Sequence, residues 1–218
     1  MFAYPAKAVF NRTVPKAKIY ANAKVTRSVK DKFVSQVGEI IWKYKLSPET
    51  TNLSARDGYT EIQVFELNLK AAEISKEILK VIDKAIPYPI LFQLRSDDKI
   101  EYVAAYKHPA ESVSDAWLVE EYFETGWLDV AEQLKPLPIA LDIKSLYEQI
   151  IAILIDVPRR NGEALEALVA RTRTIRTCRR ELEILTAKLN SEKQFNRKVE
   201  LNAQIRELNN QIAELMVR

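Results

Sequence analysis

Only four glycines occur in 218 residues, and no two of them stand close together. A phosphate cradle of the P-loop or dinucleotide type needs several glycines within a few positions, because its backbone must approach the ligand closely. That class of nucleotide enzyme is not expected here. The chain holds one cysteine, Cys178, and one histidine, His108. A structural zinc site takes four such ligands and a disulfide takes two cysteines, so neither is expected, and no cofactor is implied. His108 lies in Lys107-His108-Pro109, which reads as an exposed turn, so a Ser-His-Asp arrangement has no base. No apolar run reaches transmembrane length, and the start, Met1-Phe2-Ala3-Tyr4-Pro5, is not a signal peptide. The expected location is cytoplasmic, with no membrane contact. The net charge of +3 is too mild to imply nucleic acid by itself.

What the chain does have is a pair of leucine ladders near its end. Leu168, Ile175, Leu182 and Leu189 recur every seven residues. So do Leu201, Leu208 and Leu215, with Ile205 and Ile212 between them. This is the heptad pattern of helices packed side by side. The ladders do not share a register, since continuing the first would place Asn196 and Ala203 in the seam. Ser191 followed by Gln194 is a capping-box pattern, so a second helix can begin there. Folding back near Asn190-Ser191 sets Leu182 beside Leu201, Ile175 beside Leu208, Leu168 beside Leu215 and Arg176 opposite Glu207. The alternative is one bent helix that dimerises; the register agreement favours the antiparallel hairpin.

The rest of the chain alternates between the two periodicities. Residues up to about 23 are basic and punctuated by Pro5 and Pro15, and read as an extended arm. Ser28 precedes a short helix through Phe33, Val34 and Val37 that Gly38 ends. Residues 39–46 alternate as a strand, with Ile41, Lys43 and Lys45 on one face and Ile40, Trp42, Tyr44 and Leu46 on the other. After a polar loop to Gly58, residues 61–70 form the clearest strand, with Glu66 on its less apolar face. Residues 74–86 show one helical stripe, closed by Pro87 and Pro89. Residues 90–94 and 100–106 make a hairpin across Ser96-Asp97-Asp98, and 118–123 is a further strand. Residues 142–155 are an apolar amphipathic helix. The expected class is α+β, a mainly antiparallel sheet covered by helices, followed by the helical coiled-coil hairpin. The expected division is an α+β body at 1–158 with a basic N-terminal arm, and a tail at 163–218.

Three patterns invite a functional reading. Arg171, Arg173, Arg176, Arg179 and Arg180 form the densest basic cluster, and with Lys7, Arg12, Lys16 and Lys18 they are the candidates for phosphate contact. The structural account of the same arginines is a solvated flank paired with acids such as Glu200 and Glu207. Glu61 and Glu66, with Asp57, Gln63 and Lys70 nearby, invite comparison with nucleases that carry an acid and an acid-x-lysine on adjacent strands. Asn68 stands where that lysine belongs, and polar positions on the solvent side of a strand account for the pattern equally. Strand aromatics such as Trp42, Tyr44, Phe65 and Tyr102 suit base stacking but suit a core better.

The runs Trp42-Lys43-Tyr44-Lys45-Leu46-Ser47-Pro48-Glu49-Thr50, EIQVFELNLK and Ile86-Pro87-Tyr88-Pro89-Ile90-Leu91-Phe92 resemble an uncharacterised prokaryotic family. It is the domain of unknown function numbered 4391, and the tail run from Glu192 to Asn202 resembles it as well. The resemblance implies a setting beside a superfamily 2 helicase and a DNA methyltransferase, in restriction-like or phage-defence clusters. It implies no catalytic or metal residues. The expectation is a non-enzymatic accessory protein whose tail contacts a helicase or methyltransferase subunit. Weak DNA or RNA contact and a homodimer through the tail are compatible with it. A metal-dependent nuclease on strand 61–70 and a stand-alone, sequence-independent nucleic-acid binder are the alternatives.

Overall fold

The computed structural model describes residues 2–110, 117–131 and 134–217. They divide into two compact units, Met1–Leu154 and Ile155–Arg218.

The first unit opens with β1 (Phe2–Ala3), a single 3-10 turn at Ala6–Ala8, β2 (Val9–Thr13) and α1 (Lys16–Asn22). The basic N-terminal segment is thus an integral edge of the fold, not an extended arm. Pro15 begins α1 because its fixed φ suits the position before a first turn. α2 (Arg27–Gln36) starts two residues earlier than its sequence signal, capped by Thr26, whose hydroxyl accepts from the Val29 amide. Gly38 does not stop this helix; it lies within β3 (Val37–Leu46), where a Cβ would come 3.1 Å from the Asn68 carbonyl oxygen. One turn of helix, α3 (Pro48–Thr51), follows behind a Ser47/Thr50 capping box.

β4 (Ile62–Leu69), α4 (Lys76–Ala85) and β5 (Ile90–Ser96) form a crossover unit, and β4 and β5 are parallel. Within a sheet expected to be mainly antiparallel this pair is the exception, and the amphipathic α4 supplies the length a crossover needs. β6 (Lys99–Pro109) and β7 (Trp117–Glu124) continue the sheet, with β8 (Leu128–Asp129) pairing β6. The order is β2-β3-β4-β5-β6-β7, antiparallel except at β4-β5. β9 (Lys135–Pro136) pairs β1 separately, and α5 (Ile143–Leu154) completes the unit. The class is α+β, as the alternating periodicities imply.

α1, α2 and α4 cover one sheet face. Ile19, Phe33, Ile78, Leu79 and Ile82 pack there against Ile40, Phe65, Leu67, Phe92 and Leu94, all nearly solvent-free. Each such side chain contributes about 1.5–3 kcal/mol by leaving water. The opposite face is also covered: Ile62, Val64, Leu91, Tyr102 and Ala104 are buried. Both faces of β4 are therefore inside, which makes its polar residues informative.

In the second unit, α6 (Leu165–Ser191) and α7 (Phe195–Met216) form a helical hairpin. Ser191 does not cap α7. It ends α6, with its hydroxyl donating back to the Ala187 and Lys188 carbonyls, and the Glu192 carboxylate accepts from the Lys193 and Gln194 amides instead. In α7 the covered positions include Leu201, Ile205, Leu208, Ile212 and Leu215, while Leu168 and Ile175 of α6 are fully buried and Leu182 and Leu189 half-buried.

Candidate functional site

A cleft of about 420 Å³ opens on the sheet face opposite α4. Its floor is set by register. Ile41 pairs with Glu66, Glu66 with Gln93 and Gln93 with Tyr102, so these residues form one row across four strands. Glu66 and Gln93 are each only 6 % exposed. A carboxylate buried this deeply is costly unless it is paired and hydrogen-bonded. Its partners come from both sides: the Lys43 Nζ donates to Glu66 Oε1 at 3.2 Å, and Arg95 Nη1 lies 3.6 Å from Oε2.

Lys43 shares this face with Ile41 by plain strand alternation, and a β-bulge is centred on it. The β3–β4 register shifts between Trp42 and Tyr44, so Lys43 is the extra residue. Bulges re-aim side chains and often sit beside sites. The same shift corrects the simple alternation of β3: Tyr44 leaves Trp42's face, joins Val64, and stacks on Tyr4 with centroids 4.3 Å apart. Gln93 Nε2 donates to the Tyr4 hydroxyl at 3.2 Å, and burial pushes the Tyr4 phenol well above its ordinary value. Phe2, Ile100, Leu128 and Leu134 complete the walls.

The carboxylates noted on the sequence do not converge. Glu66 is committed to two cations. Glu61 lies toward the helix-covered face, with Lys45 Nζ 2.8 Å from its Oε2 and Gln63 donating to its other oxygen. Both are buried, so the solvent-side account of them does not hold. Asp57 is bonded to Lys144 at 2.7 Å, and Lys70 donates to the Val34 carbonyl. Among the described residues, no group of three or more His, Cys, Asp or Glu could hold a metal ion. The acid-base chemistry open to the cleft is that of an ion-paired carboxylate between two cations.

The basic candidates are dispersed. Lys7 is exposed on the 3-10 turn, Arg12 lies over the Phe10 ring on edge strand β2, and Lys18 is exposed on α1. Lys16 donates to the Phe33 and Val37 carbonyls at 3.0 and 2.6 Å, closing the end of α2, and burial pulls its ammonium below its ordinary value. Arg171 is buried in the second unit. It donates to both Glu163 oxygens at 2.8 and 2.7 Å, to the Pro158 carbonyl and to the Leu215 carbonyl. That guanidinium holds the Glu163 carboxyl down at about 2. Arg160 donates to the Glu214 and Val217 carbonyls, so two arginines satisfy the carbonyls left over at the end of α7. Arg179 pairs with Asp156 at 3.2 Å; Arg173 and Arg180 are exposed and Arg176 half-buried on α6.

The Lys107-His108-Pro109 run is not an exposed turn. It is the end of β6, and the Lys107 side chain is wholly buried. Its Nζ donates to the Asp83, Ile86 and Tyr88 carbonyls at 2.7, 2.6 and 2.8 Å, with Asp83 Oδ1 at 3.5 Å. Tyr122 donates to Asp83 Oδ2 at 2.6 Å. Three N–H donors meet three carbonyls at the C-terminal end of α4, where a cation is favoured. Burial pushes the Asp83 carboxyl up to about 6 and pulls the Lys107 ammonium down. Lys107 keeps the charge, because a neutral amine would leave one carbonyl unmet. His108 Nε2 sits 2.9 Å from Glu120 Oε1.

Sequence reading missed Lys43, Gln93, Arg95 and Lys107. The one available signal was Gln93 inside the apolar run Ile90-Leu91-Phe92-Gln93-Leu94, where a polar residue in a buried strand requires a partner.

A protein-family model matches residues 2–212, from β1 into the last turns of α7. The chain belongs to the family described as Domain of unknown function (DUF4391). The family match spans both units, so the cleft and the hairpin both fall within it. No curated protein and no solved structure matches the chain.

Proposed function

We propose that this family member is a non-enzymatic accessory protein of a prokaryotic helicase–methyltransferase system, and that it contacts a partner subunit through the α6–α7 hairpin. The restriction-like setting rests on the family resemblance. The observation that carries the contact surface is the apolar tip of the hairpin. Ile184, Phe195 and Val199 are 51 %, 77 % and 53 % exposed, and no residue of α7 is fully buried. All three lie within about two helical turns of the bend at residues 192–194. Exposed clustered apolar side chains mark contact surfaces. The Glu66 carboxylate, committed to Lys43 and Arg95, lends nothing to a nuclease.

The test is co-expression with a superfamily 2 helicase and a DNA methyltransferase from the same host, followed by affinity purification of each. The expected result is stoichiometric co-purification with one of them, lost in a Phe195→Asp/Val199→Asp variant that keeps its helicity. Absence of both subunits from the purified wild-type protein, or magnesium-dependent DNA cleavage abolished by Glu66→Ala, would overturn the reading.

A further inference from the structure

We infer that the sheet-face cleft is a binding site for a small, singly charged oxyanion, a carboxylate or a phosphodiester, carried on a ring-bearing molecule. The charge balance points there. Lys43 and Arg95 bring two positive charges against the one of Glu66, and Asp129, the other carboxylate lining the cleft, is held by Lys99 at 2.6 Å. The cleft is left one positive charge in excess. Its donors are also underused. Among the described residues, the Arg95 guanidinium has one partner, Glu66 at 3.6 Å, longer than a hydrogen bond, so its planar fork of five N–H groups remains open. Lys43 spends one of its three N–H donors on Glu66. Both side chains are about one-third exposed, 29 % and 35 %, and both line the cleft.

The site is built as well as charged. A bulge turns Tyr44 onto the face that Lys43 occupies, and Gln93, nine-tenths buried, fixes Tyr4 against Tyr44 as one wall. An arginine fork beside a lysine recognises planar or tetrahedral oxyanions, and the tyrosine pair offers apolar area to a ring. In this arrangement Glu66 has a definite part: it holds the two cations together when the cleft is empty and competes with the ligand when it is filled.

That part gives a signature which separates the inference from a metal-dependent site. The full-length protein is titrated by calorimetry with benzoate, cyclic AMP and, as a dianion, AMP. At least one of the two monoanions is expected to bind at millimolar concentration or better. Arg95→Gln and Lys43→Met, with unchanged circular dichroism, should each weaken that binding tenfold or more. Glu66→Gln should tighten it several-fold by freeing both cations, and should tighten AMP more. Preference for benzoate assigns the carboxylate, and preference for cyclic AMP the phosphodiester. Failure of both monoanions to bind, survival of binding in Arg95→Gln, or weaker binding in a folded Glu66→Gln would each reject the site.

Discussion

Replacing Lys107 by methionine keeps the length of the side chain and removes its charge and its three donors. The Asp83, Ile86 and Tyr88 carbonyls then lose their partner in a region closed to water, and Asp83 loses its cation while keeping only the Tyr122 hydroxyl. Each buried acceptor left unmet costs about 1–3 kcal/mol, and breaking one side of a buried ion pair costs about 3–5 kcal/mol. These overlap, because protonation of Asp83 relieves part of the second. The expected loss is about 4 kcal/mol, a large part of the roughly 5–15 kcal/mol typical of a domain. Asp83→Asn should cost less, about 1–2 kcal/mol, since Lys107 keeps its three carbonyls and the amide still accepts from Tyr122. The double variant should fall short of the sum by about 1 kcal/mol or more, because the two groups share one network. Urea unfolding followed by the fluorescence of the three tryptophans, Trp42, Trp117 and Trp127, all in the first unit, with unchanged m-values, measures all three variants. A Lys107→Met cost below about 1 kcal/mol would refute the network as the fastening of α4.

The other predictions concern the second unit and one strand. Glu163 titrates at about 2 against an ordinary 4.5, so its stabilisation is complete above 4.5 and is lost as pH falls toward 2; after allowance for solvent screening it is worth about 1–2 kcal/mol. Glu163→Gln should remove that part of the acid transition of the hairpin, seen in hydrogen exchange of α7 amides, and an identical acid profile in the variant would count against it. Leu201→Ala, at a half-buried seam position, should cost about 1–2 kcal/mol, below the fully buried range, and should raise exchange across α7; unchanged exchange would place Leu201 outside the seam. Gly38→Ala should destabilise the first unit by about 1 kcal/mol, because its Cβ meets the Asn68 carbonyl oxygen, a backbone atom with little room to yield. A stabilised variant would show that β3 relaxes there.

The elements were legible where periodicity was strong. The strand at 61–70, the helix before Pro87 and the hairpin fold of the tail all follow from apolar spacing, which reports one face of an element at a time. What lay beyond reach depended on tertiary pairing. Glu66 alternates as a solvent-side residue should, and only coverage of the second sheet face makes it buried. The bulge that turns Tyr44 onto the face of Lys43 depends on β3 meeting β4 out of step, and no local signal in Trp42-Lys43-Tyr44 records that. The parallel pairing of β4 with β5 follows from the helix between them, a strand–helix–strand order that the expectation of a mainly antiparallel sheet passed over. Lys107 beside His108 and Pro109 reads as surface by composition, and its burial depends on carbonyls 19 to 24 residues earlier in the chain. Arg171 belonged, by composition, to a basic cluster; its acid and its carbonyls are contributed from beyond both ends of its own neighbourhood.

The two arginines that meet the end of α7 fasten that helix back to the start of its own unit. Arg160 and Arg171 tie the carbonyls of Glu214, Leu215 and Val217 to the beginning of the same unit, across 44 to 57 residues of sequence. The hairpin is thereby a ring with two joins, the covalent turn at 192–194 and a polar clasp opposite it. Trimming the chain after Ala213 would open that ring and strand a buried guanidinium with Glu163 and Pro158 as its remaining partners.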